Sequence, residues 1–236
     1  MIDHSLIRDP FTESFLGKPC FQLNHYNRAF NLPRSGDAGF IYTKIQTSRI
    51  ADISKLERIG FNLIDTNIQL QRPASGNWDE KNISSSCRIR LAEPSDLPDI
   101  ENIAASSFLF SRFHLDPKIE DSVANEIKRQ WATNFFAGKR GDCMVVAKDQ
   151  NQTIGFLLLL DQEDKRTIDL IAVSKGHRGK GLASAMIRFA AKEALGRQIV
   201  VGTQVANSPS LRSYENLGFR AYESYYVLHY HGPVAT

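Results

Sequence analysis

The sequence predicts an α/β (α+β) fold in which a mixed, mostly antiparallel sheet is flanked by helices. Three observations predict it. Residues 142–173 hold three apolar stretches separated by short polar turns, as in an antiparallel meander. Helical patterns, with apolar residues every three or four positions, lie before and after that meander. The chain then alternates strand and helix patterns as far as residue 230, which places helices on the faces of the sheet.

A polar, turn-rich stretch around residues 72–88 predicts a linker. We therefore expect a smaller domain at 1–75, a linker at 76–87 and a larger domain at 88–236, which is a common domain size.

The larger domain is predicted to run strand, helix, helix, three strands, helix, strand, helix, strand. Ser95 or Asp96 can cap the first helix, after an extended step at Glu93-Pro94. In the last helix Pro209 suits the first position and Ser208 the cap before it. The first helix is predicted from the buried face of Ile100, Ile103, Ala104 and Phe108. The predicted bounds of the other elements, in chain order, are 88–92, 119–136, 142–147, 153–160, 167–173, 181–195, 198–205, 209–217 and 221–230.

The N-terminal part contains a segment whose sequence is similar to that of the C-terminal end. Leu-Glu-Arg-Ile-Gly-Phe at 56–61 matches Tyr-Glu-Asn-Leu-Gly-Phe at 214–219, and further matches keep the same offset. Glycine capping of two helices could give the short motif alone. The further matches favour a divergent, partial repeat that lacks a glycine loop and to which we assign no catalysis. They are Gln46 with Gln204, Asp65 with Glu223, Thr66 with Ser224 and Leu70 with Leu228.

Composition excludes several classes of protein. Hydrophobic residues make up 42% and charged residues 23%, which are ordinary globular values. With 29 basic and 26 acidic residues the net charge is +3, which argues against a nucleic-acid partner. Three cysteines without a CxxC pair favour a reducing compartment. The apolar run at 154–160 is far shorter than the roughly 20 residues that span a bilayer, and the first residues resemble no signal peptide. We expect a cytoplasmic protein with no membrane partner.

A glycine-rich turn between the third meander strand and the next helix carries the clearest chemistry. Its glycines bring several backbone N–H groups together, and the helix N-terminus adds unpaired donors. This predicts a cradle for a pyrophosphate, with a simple strand-to-helix turn as the alternative. The spacing fits neither a P-loop nor a dinucleotide fingerprint. The glycines are Gly176, Gly179 and Gly181, and the cationic residues beside them are Lys175, His177, Arg178 and Lys180.

Two segments together resemble the GNAT superfamily of acyl-CoA-dependent N-acyltransferases. Arg-Gly-Lys-Gly-Leu-Ala at 178–183 is similar to the family's phosphate loop, and Asn207, Tyr214 and Gly218-Phe219 are similar to its downstream segment. The resemblance covers 88–230 and implies a splayed sheet that binds acetyl-CoA between the strands at 167–173 and 198–205.

The resemblance also implies residue roles. Asn207 is expected to touch the pantetheine arm, and Tyr214 to be the general acid. Backbone groups expected at the pyrophosphate belong to Arg178, Gly179, Lys180, Gly181, Leu182, Ala183 and Ser184. Those expected at the pantetheine and the thioester carbonyl belong to Leu170, Ile171, Ala172 and Val173.

Upstream features narrow the resemblance. The segment Ser111–Pro117, Trp131 and the partial N-terminal repeat are similar to the dTDP-fucosamine acetyltransferase group. That group implies an amino sugar linked to a nucleotide as acceptor. Asp169 departs from the pattern, because a small or neutral residue is expected in the cofactor strand.

Amide formation from a thioester needs a neutral amine, an oxyanion donor and a proton for the leaving thiolate. A phenol is protonated at neutral pH and can supply that proton, so Tyr214 suits the acid role, with core packing as the alternative. His114 and Asp169 are the candidate bases, although His114 could equally be a hydrogen-bonded loop residue. Ser111, Arg112, His114 and Asp116 are the candidate acceptor contacts, and a surface ion pair is the alternative for Arg112 and Asp116.

Other readings remain open at the level of sequence. A protein or small-amine acetyltransferase could use the same scaffold, and so could a non-catalytic acyl-CoA-binding module. The final strand is expected at a sheet edge, where a homodimer could form. His229 and His231 share a strand face without a third ligand, so no metal is expected.

Overall fold

The computed structural model describes residues 6–24, 26, 30, 32, 39–75, 78, 86–194 and 196–232. The strands are β1 (Leu6–Arg8), β2 (Cys20–Leu23), β3 (Phe40–Gln46), β4 (Asn62–Pro73), β5 (Cys87–Leu91), β6 (Cys143–Asp149), β7 (Gln152–Asp161), β8 (Lys165–Val173), β9 (Gln198–Gln204) and β10 (Arg220–His231). The helices are α1 (Pro10–Leu16), α2 (Ile50–Arg58), α3 (Leu97–Ser107), α4 (Asp121–Thr133), α5 (Leu182–Lys192) and α6 (Ser208–Asn216).

The described strands form one sheet in the order β1-β2-β3-β10-β4-β9-β8-β7-β6-β5. Strands β5 to β8 pair antiparallel in sequence, which confirms the predicted meander. β8 and β9 pair in parallel across the crossover helix α5. The element order from β5 to β10 is the one predicted for the larger domain, and the mixed sheet with flanking helices is confirmed.

The internal repeat predicted from sequence is present in the structure. β3, α2 and β4 are followed, at a constant shift of 158 residues, by β9, α6 and β10, with the same bounds at both ends of every element. β4 and β10 pair antiparallel about the central pair Asn67–Tyr225. Gln46 of the first copy pairs with Tyr225 of the second, and the equivalent residue Gln204 of the second copy pairs with Asn67 of the first. An approximate two-fold axis therefore relates the two copies.

The two copies exchange their last strands. β10 lies between β3 and β4 and pairs with both, and β9 pairs with β4. The expectation of a free edge at the final strand is therefore wrong; the edges of the described sheet are β1 and β5. The sheet runs through both parts of the chain, and the division at 76–87 stays a prediction whose linker lies largely outside the described residues.

Helices cover both faces of the sheet. α5 buries Leu182, Met186 and Ile187 against β6, β7 and β8 on one face. On the opposite face Ile100 and Ile103 of α3 pack against β7 and β8, and α4 packs beside α3. Burying each such side chain contributes about 2 kcal/mol, so these faces fix the position of β8.

A buried carboxylate ties the start of α3 to the meander. Asp96 is fully buried and accepts hydrogen bonds from Arg90, Lys148, Thr153 and the backbone N–H of Glu93. Burial opposes ionisation, yet these donors hold the pKa of Asp96 well below its ordinary range. Asp96 thus anchors β5, β6 and β7 to one point.

Several predicted bounds differ from the structure. The second helix of the larger domain is Asp121–Thr133, shorter at both ends than predicted. Asn207, rather than Ser208, is the N-cap of α6; its side chain accepts a hydrogen bond from the Ser210 N–H at 3.3 Å, and Ser208 is already helical. Among the described residues, no helix has the length and apolar composition needed to cross a membrane.

Candidate active site

β8 and β9 begin as a parallel pair and then separate. Their pairing runs from Lys165–Gln198 to Ile168–Val201 and ends there, although β8 continues to Val173 and β9 to Gln204. Each strand stays paired with its outer neighbour, β7 or β4, over the rest of its length. A gap therefore opens between the second half of β8 and the end of β9.

A bulge marks the point of separation. Leu158 pairs with Leu170 and Leu159 with Ile168, so Asp169 has no partner on β7. Ile168 packs in the cluster under α5, whereas Leu170 packs in the cluster under α3. The bulge turns the end of β8 and directs Asp169 towards α4, where Trp131 donates to it.

The glycine turn follows β8 directly. Gly179 and Gly181 adopt φ of 76° and 78°, in the left-handed region that favours glycine, and Gly181 is the N-cap of α5. The flanking residues Lys175, Arg178 and Lys180 are exposed. Arg178 donates from Nε to the carbonyl of Val173 at 3.0 Å, which fixes the turn against the end of β8.

These residues fit the diphosphate and the pantetheine of acetyl-CoA. The first intrahelical hydrogen bond of α5 runs from the Ala185 N–H to Gly181, so the N–H groups of 182–184 have no helical acceptor and carry the positive end of the helix dipole. A Cβ atom built on Gly179 or Gly181 meets no atom within 4 Å, so space lies open above the turn. The predicted residues 170–173 line the gap on its β8 side.

Tyr214 lies in the core beside the end of this gap. It is 4% exposed, packs edge-on to Phe219 at 5.5 Å and belongs to the cluster that contains Leu182 of α5. Burial raises the pKa of the phenol above its ordinary value, which keeps it protonated at neutral pH. Its hydroxyl forms no hydrogen bond with a described residue and is available to a ligand.

A polar strip crosses the sheet beside the gap, and sequence reasoning missed it. Lys44 of β3 and Asp65 of β4 both lie opposite Val227 of β10, so they share one face. Asn67 shares that face and pairs with Gln204 at the end of β9. The signal in the sequence was a set of polar residues at alternate positions of buried strands.

Asp65 is the titratable group of that strip. It is 7% exposed, and its Oδ2 is sealed from solvent without a hydrogen-bond partner. Burial raises the pKa of Asp65 to about 6, against hydrogen bonds from the Thr66 backbone and the Gln204 side chain and the charge of Lys44. The carboxylate can therefore gain and lose a proton near neutral pH.

The two bases expected from sequence are both engaged by other groups. Asp169 accepts two hydrogen bonds from Arg140, at 2.6 and 2.7 Å, and one from Trp131 at 2.9 Å. His114 contacts Ser111 Oγ through Nδ1 at 2.6 Å and Asn125 Oδ1 through Nε2 at 3.0 Å. Burial lowers the pKa of His114. Each group is held in place, and neither ring nitrogen of His114 is free.

The residues of the 111–116 segment separate into different environments. Arg112 stacks over the Tyr42 ring with 3.6 Å from Cζ to the ring centroid, on the face that carries Lys44. Asp116 is 2% exposed and does not pair with Arg112, so the surface ion pair considered as the alternative is absent. Asp116 Oδ2 instead lies 2.7 Å from His229 Nδ1 and 2.7 Å from His231 Nε2.

Asp116, His229 and His231 form the one group among the described residues with the composition and spacing of a metal site. The sequence showed no third ligand, because Asp116 lies more than one hundred residues from the histidines. Lys18 Nζ lies 3.4 Å from Nδ1 of His231 and can only donate, so that Nε2 carries the proton and donates to Asp116. Burial lowers the pKa of His229 to about 4, so its Nδ1–H also donates to that carboxylate. These hydrogen bonds tie the 111–116 segment to β10, while Nε2 of His229 is buried without a hydrogen-bond partner among the described residues.

Separating parallel strands and a glycine turn at a helix N-terminus define the fold class of the coenzyme A-dependent acyltransferases. Residues 98–219 match the acetyltransferase (GNAT) family, and the chain belongs to that family, whose enzymes use acetyl-CoA as co-substrate. The resemblance drawn from the sequence is thereby confirmed, together with the fold.

Two relatives and one solved structure refine the comparison. The chain is 36% identical over 140 residues to the spore coat polysaccharide biosynthesis protein SpsD of Bacillus subtilis strain 168, a match that covers 58% of this chain and 48% of SpsD. It is 25% identical over 195 residues to dTDP-fucosamine acetyltransferase of Escherichia coli O6:H1, with 80% of each covered. A tandem GNAT protein from the clavulanic acid biosynthesis pathway superposes with a TM-score of 0.62 at 12% identity, covering 92% of this chain and 77% of that chain. The last likeness shows the fold alone.

The left-handed glycines give a direct test of the cofactor turn. A Gly181→Ala variant forces a Cβ into left-handed backbone, which costs about 1–2 kcal/mol, and we expect coenzyme A to bind roughly tenfold more weakly. Gly176→Ala is the matched control, because Gly176 belongs to the same turn, has no left-handed φ and faces open space. Titration calorimetry with coenzyme A measures both; equal affinities in the two variants would contradict the assignment of the turn.

Proposed function

We propose that this protein transfers the acetyl group of acetyl-CoA to the amine of a nucleotide-linked amino sugar, by direct attack while both substrates are bound. The observation that carries the proposal is the polar face of Lys44, Asp65 and Asn67, which meets the gap between β8 and β9 at Gln204. Membership of the GNAT family and the two relatives, one an amino-sugar acetyltransferase by name and the other a polysaccharide biosynthesis protein, support it.

Backbone groups of this chain bind the co-substrate in the proposal. The N–H groups of 182–184 and the glycine turn take the diphosphate, since helix N-termini bind anions through these donors and the dipole. Backbone groups of 170–173, left without a β9 partner by the separation of the strands, hold the pantetheine and polarise the carbonyl. The amide of Asn207, at the cap of α6, contacts the pantetheine arm. Acetyl-CoA supplies an activated thioester.

The amine must be neutral when it attacks, so a group on the acceptor side must take up a proton. Asp65 is proposed for this task, in place of His114 and Asp169, because its Oδ2 has no protein partner and its pKa of about 6 lets it accept a proton at neutral pH. Its hydrogen bond with Gln204 puts it next to the end of β9, the strand that borders the gap. Asp169 then positions Arg140 and Trp131 at the bulge.

The leaving thiolate needs a proton, and Tyr214 is proposed to supply it. A phenol with a raised pKa remains protonated at pH 7, and the hydroxyl has no described partner that competes for it. The ring is held by Phe219 on one side and the core under α5 on the other, which fixes its position.

A protein or small-amine acetyltransferase is the second candidate for this fold. Basic peptides and polyamines need acidic pockets, whereas the face beside the gap carries Lys44 and Arg112 next to a single unpaired carboxylate. This charge favours an acceptor with a negative group. A binding module without turnover has no use for a titratable carboxylate at Asp65 or a protonated phenol at Tyr214.

The proposed function is tested with a panel of acceptors. Thiol release from acetyl-CoA is measured with dTDP-linked and UDP-linked amino sugars, free amino sugars, polyamines and a lysine peptide. We expect kcat/KM for a nucleotide-linked amino sugar to exceed that for every other class by at least about 100-fold. Turnover of polyamine or peptide at the higher rate would overturn the assignment of the acceptor.

Removing the proposed acid tests the role of Tyr214. Tyr214→Phe keeps the buried ring and deletes only the hydroxyl, so we expect kcat to fall about 100-fold or more while the affinity for coenzyme A stays the same. Tyr222→Phe is the control, because Tyr222 is exposed on β10. An unchanged kcat in Tyr214→Phe leaves Tyr214 a packing residue only.

Removing the proposed base has a pH signature. In the parent protein we expect kcat/KM to rise with pH through an apparent pKa of about 6, as Asp65 ionises; Asp65→Asn should lose this limb and about 100-fold in rate.

The thermal stability of Asp65→Asn gives a second readout. Because the folded pKa lies above the unfolded one, the stability that protonation contributes is complete below pH 4 and lost as the pH rises through 6. Asp65→Asn should therefore raise Tm by about 3 °C at pH 8 and leave it unchanged at pH 4, and an unaltered pH–rate profile would exclude the role.

A further inference from the structure

Three cations converge on the acceptor side of the gap from different parts of the chain. Lys44 projects from β3 onto the polar face, and Arg112 stacks over Tyr42 on that same face. Lys128 of α4 is 8% exposed, with Nζ 4.4 Å from the centroid of Trp131 and 5.2 Å from that of Phe108. The aromatic rings surround the ammonium group beside the bulge of β8.

None of the three cations forms an ion pair with an acid in the described part of the chain, although Asp9 acts on Arg112, Asp65 on Lys44 and Asp169 on Lys128 at longer range. No ion pair involves Lys44, Arg112 or Lys128, and the Nη1 atom of Arg112 is sealed from solvent without any hydrogen-bond partner. The neighbouring acids serve other groups. Asp169 is bound by Arg140, and Asp116 by His229 and His231.

The cations also weaken one another. Burial lowers the pKa of Lys128 to about 7; the charges of Arg112, Arg140 and Lys44 act in the same direction, and the charge of Asp169 opposes them. Burial and Arg112 lower the pKa of Lys44 as well, against Asp65. Lys128 is buried and Arg112 is half-buried, whereas Lys44 is exposed. Gathering these like charges without a close anion is costly, and a ligand that carries negative charge would offset that cost.

We propose that Lys44, Arg112 and Lys128 form a subsite for a phosphate or diphosphate group carried by the acceptor. This inference rests on the proposed function. The subsite would determine which acceptors the protein selects. A diphosphate carries several charges and many acceptor oxygens, and it can engage a guanidinium and two ammonium groups together. A single carboxylate would leave at least one of these cations unpaired.

The subsite can be tested by binding alone. Inorganic pyrophosphate is titrated by calorimetry into protein saturated with coenzyme A, which keeps the glycine turn occupied. We expect one site, weakened at least tenfold by Lys128→Met and by Arg112→Met. Lys139→Met is the matched control, since Lys139 is exposed a few residues beyond α4, and its affinity should equal that of the parent. Equal binding in all variants, no binding in the parent, or tighter binding of succinate than of pyrophosphate would overturn the subsite.

A stability measurement separates a ligand site from a structural lysine. Lys128→Met keeps the side-chain length between Phe108 and Trp131 and removes the unpaired charge, so Tm of the ligand-free variant should be higher than that of the parent. Pyrophosphate should raise Tm of the parent but not of the variant. A lower Tm for ligand-free Lys128→Met together with an undiminished pyrophosphate effect would show that Lys128 serves the fold alone.

Two further ligands identify the source of the phosphate. The combined results also distinguish the proposed subsite from the proposed function. Thymidine diphosphate binding more tightly than both pyrophosphate and glucose 1-phosphate supports a nucleotide-linked acceptor; glucose 1-phosphate binding as tightly supports a sugar phosphate and retains the subsite. If pyrophosphate binds as expected while no amino sugar is acetylated, the proposed function fails and the subsite stands. If amino sugars are acetylated and the variants bind pyrophosphate like the parent, the subsite fails and the function stands.

Discussion

The separation of β8 from β9 is the constraint on which the candidate site depends. Two parallel strands that stay paired to the end would leave no unbonded backbone between them, and the glycine turn would cap a closed sheet. Here β7 holds one strand and β4 holds the other, so both remain ordered while the space between them opens. The bulge at Asp169 gives the change of direction, and Trp131 of α4 and Arg140, in the loop after α4, fix that bulge.

In the N-terminal copy, the space that corresponds to the gap is filled by side chains. β2 and β3 form the counterpart of the parallel pair, and their pairing also ends early, at Gln22–Tyr42. In that copy Thr43 donates to the carbonyl of Leu23, and Tyr26 and Phe30 are buried in the cluster with Ile45. Side chains of the chain itself fill the region, so this copy contributes strands and a polar face to the sheet rather than a second gap.

Sequence reasoning reached the features that are local in the chain. The meander, the glycine turn and the capped helix α6 depend on neighbours within a few residues, so periodicity and turn chemistry predicted them. The polar strip was out of reach, because Lys44 and Asp65 come to one face only through β10, which the sequence places far away. The contact of Asp116 with His229 was not predicted for the same reason, because 113 residues separate the two in the sequence. The final strand was predicted as an edge because pairing partners follow from topology, which the strand's own residues do not encode.

The exchange of β10 has a consequence for how the molecule is made. β3 and β4 are synthesised long before β10. Until β10 pairs with them, each of these strands has one edge whose backbone N–H and C=O groups are unpaired. Strands β3 and β4 therefore complete their pairing only after β10 has been synthesised. The middle of the sheet, where β10 separates β3 from β4, is thus closed by the last strand in the described part of the chain.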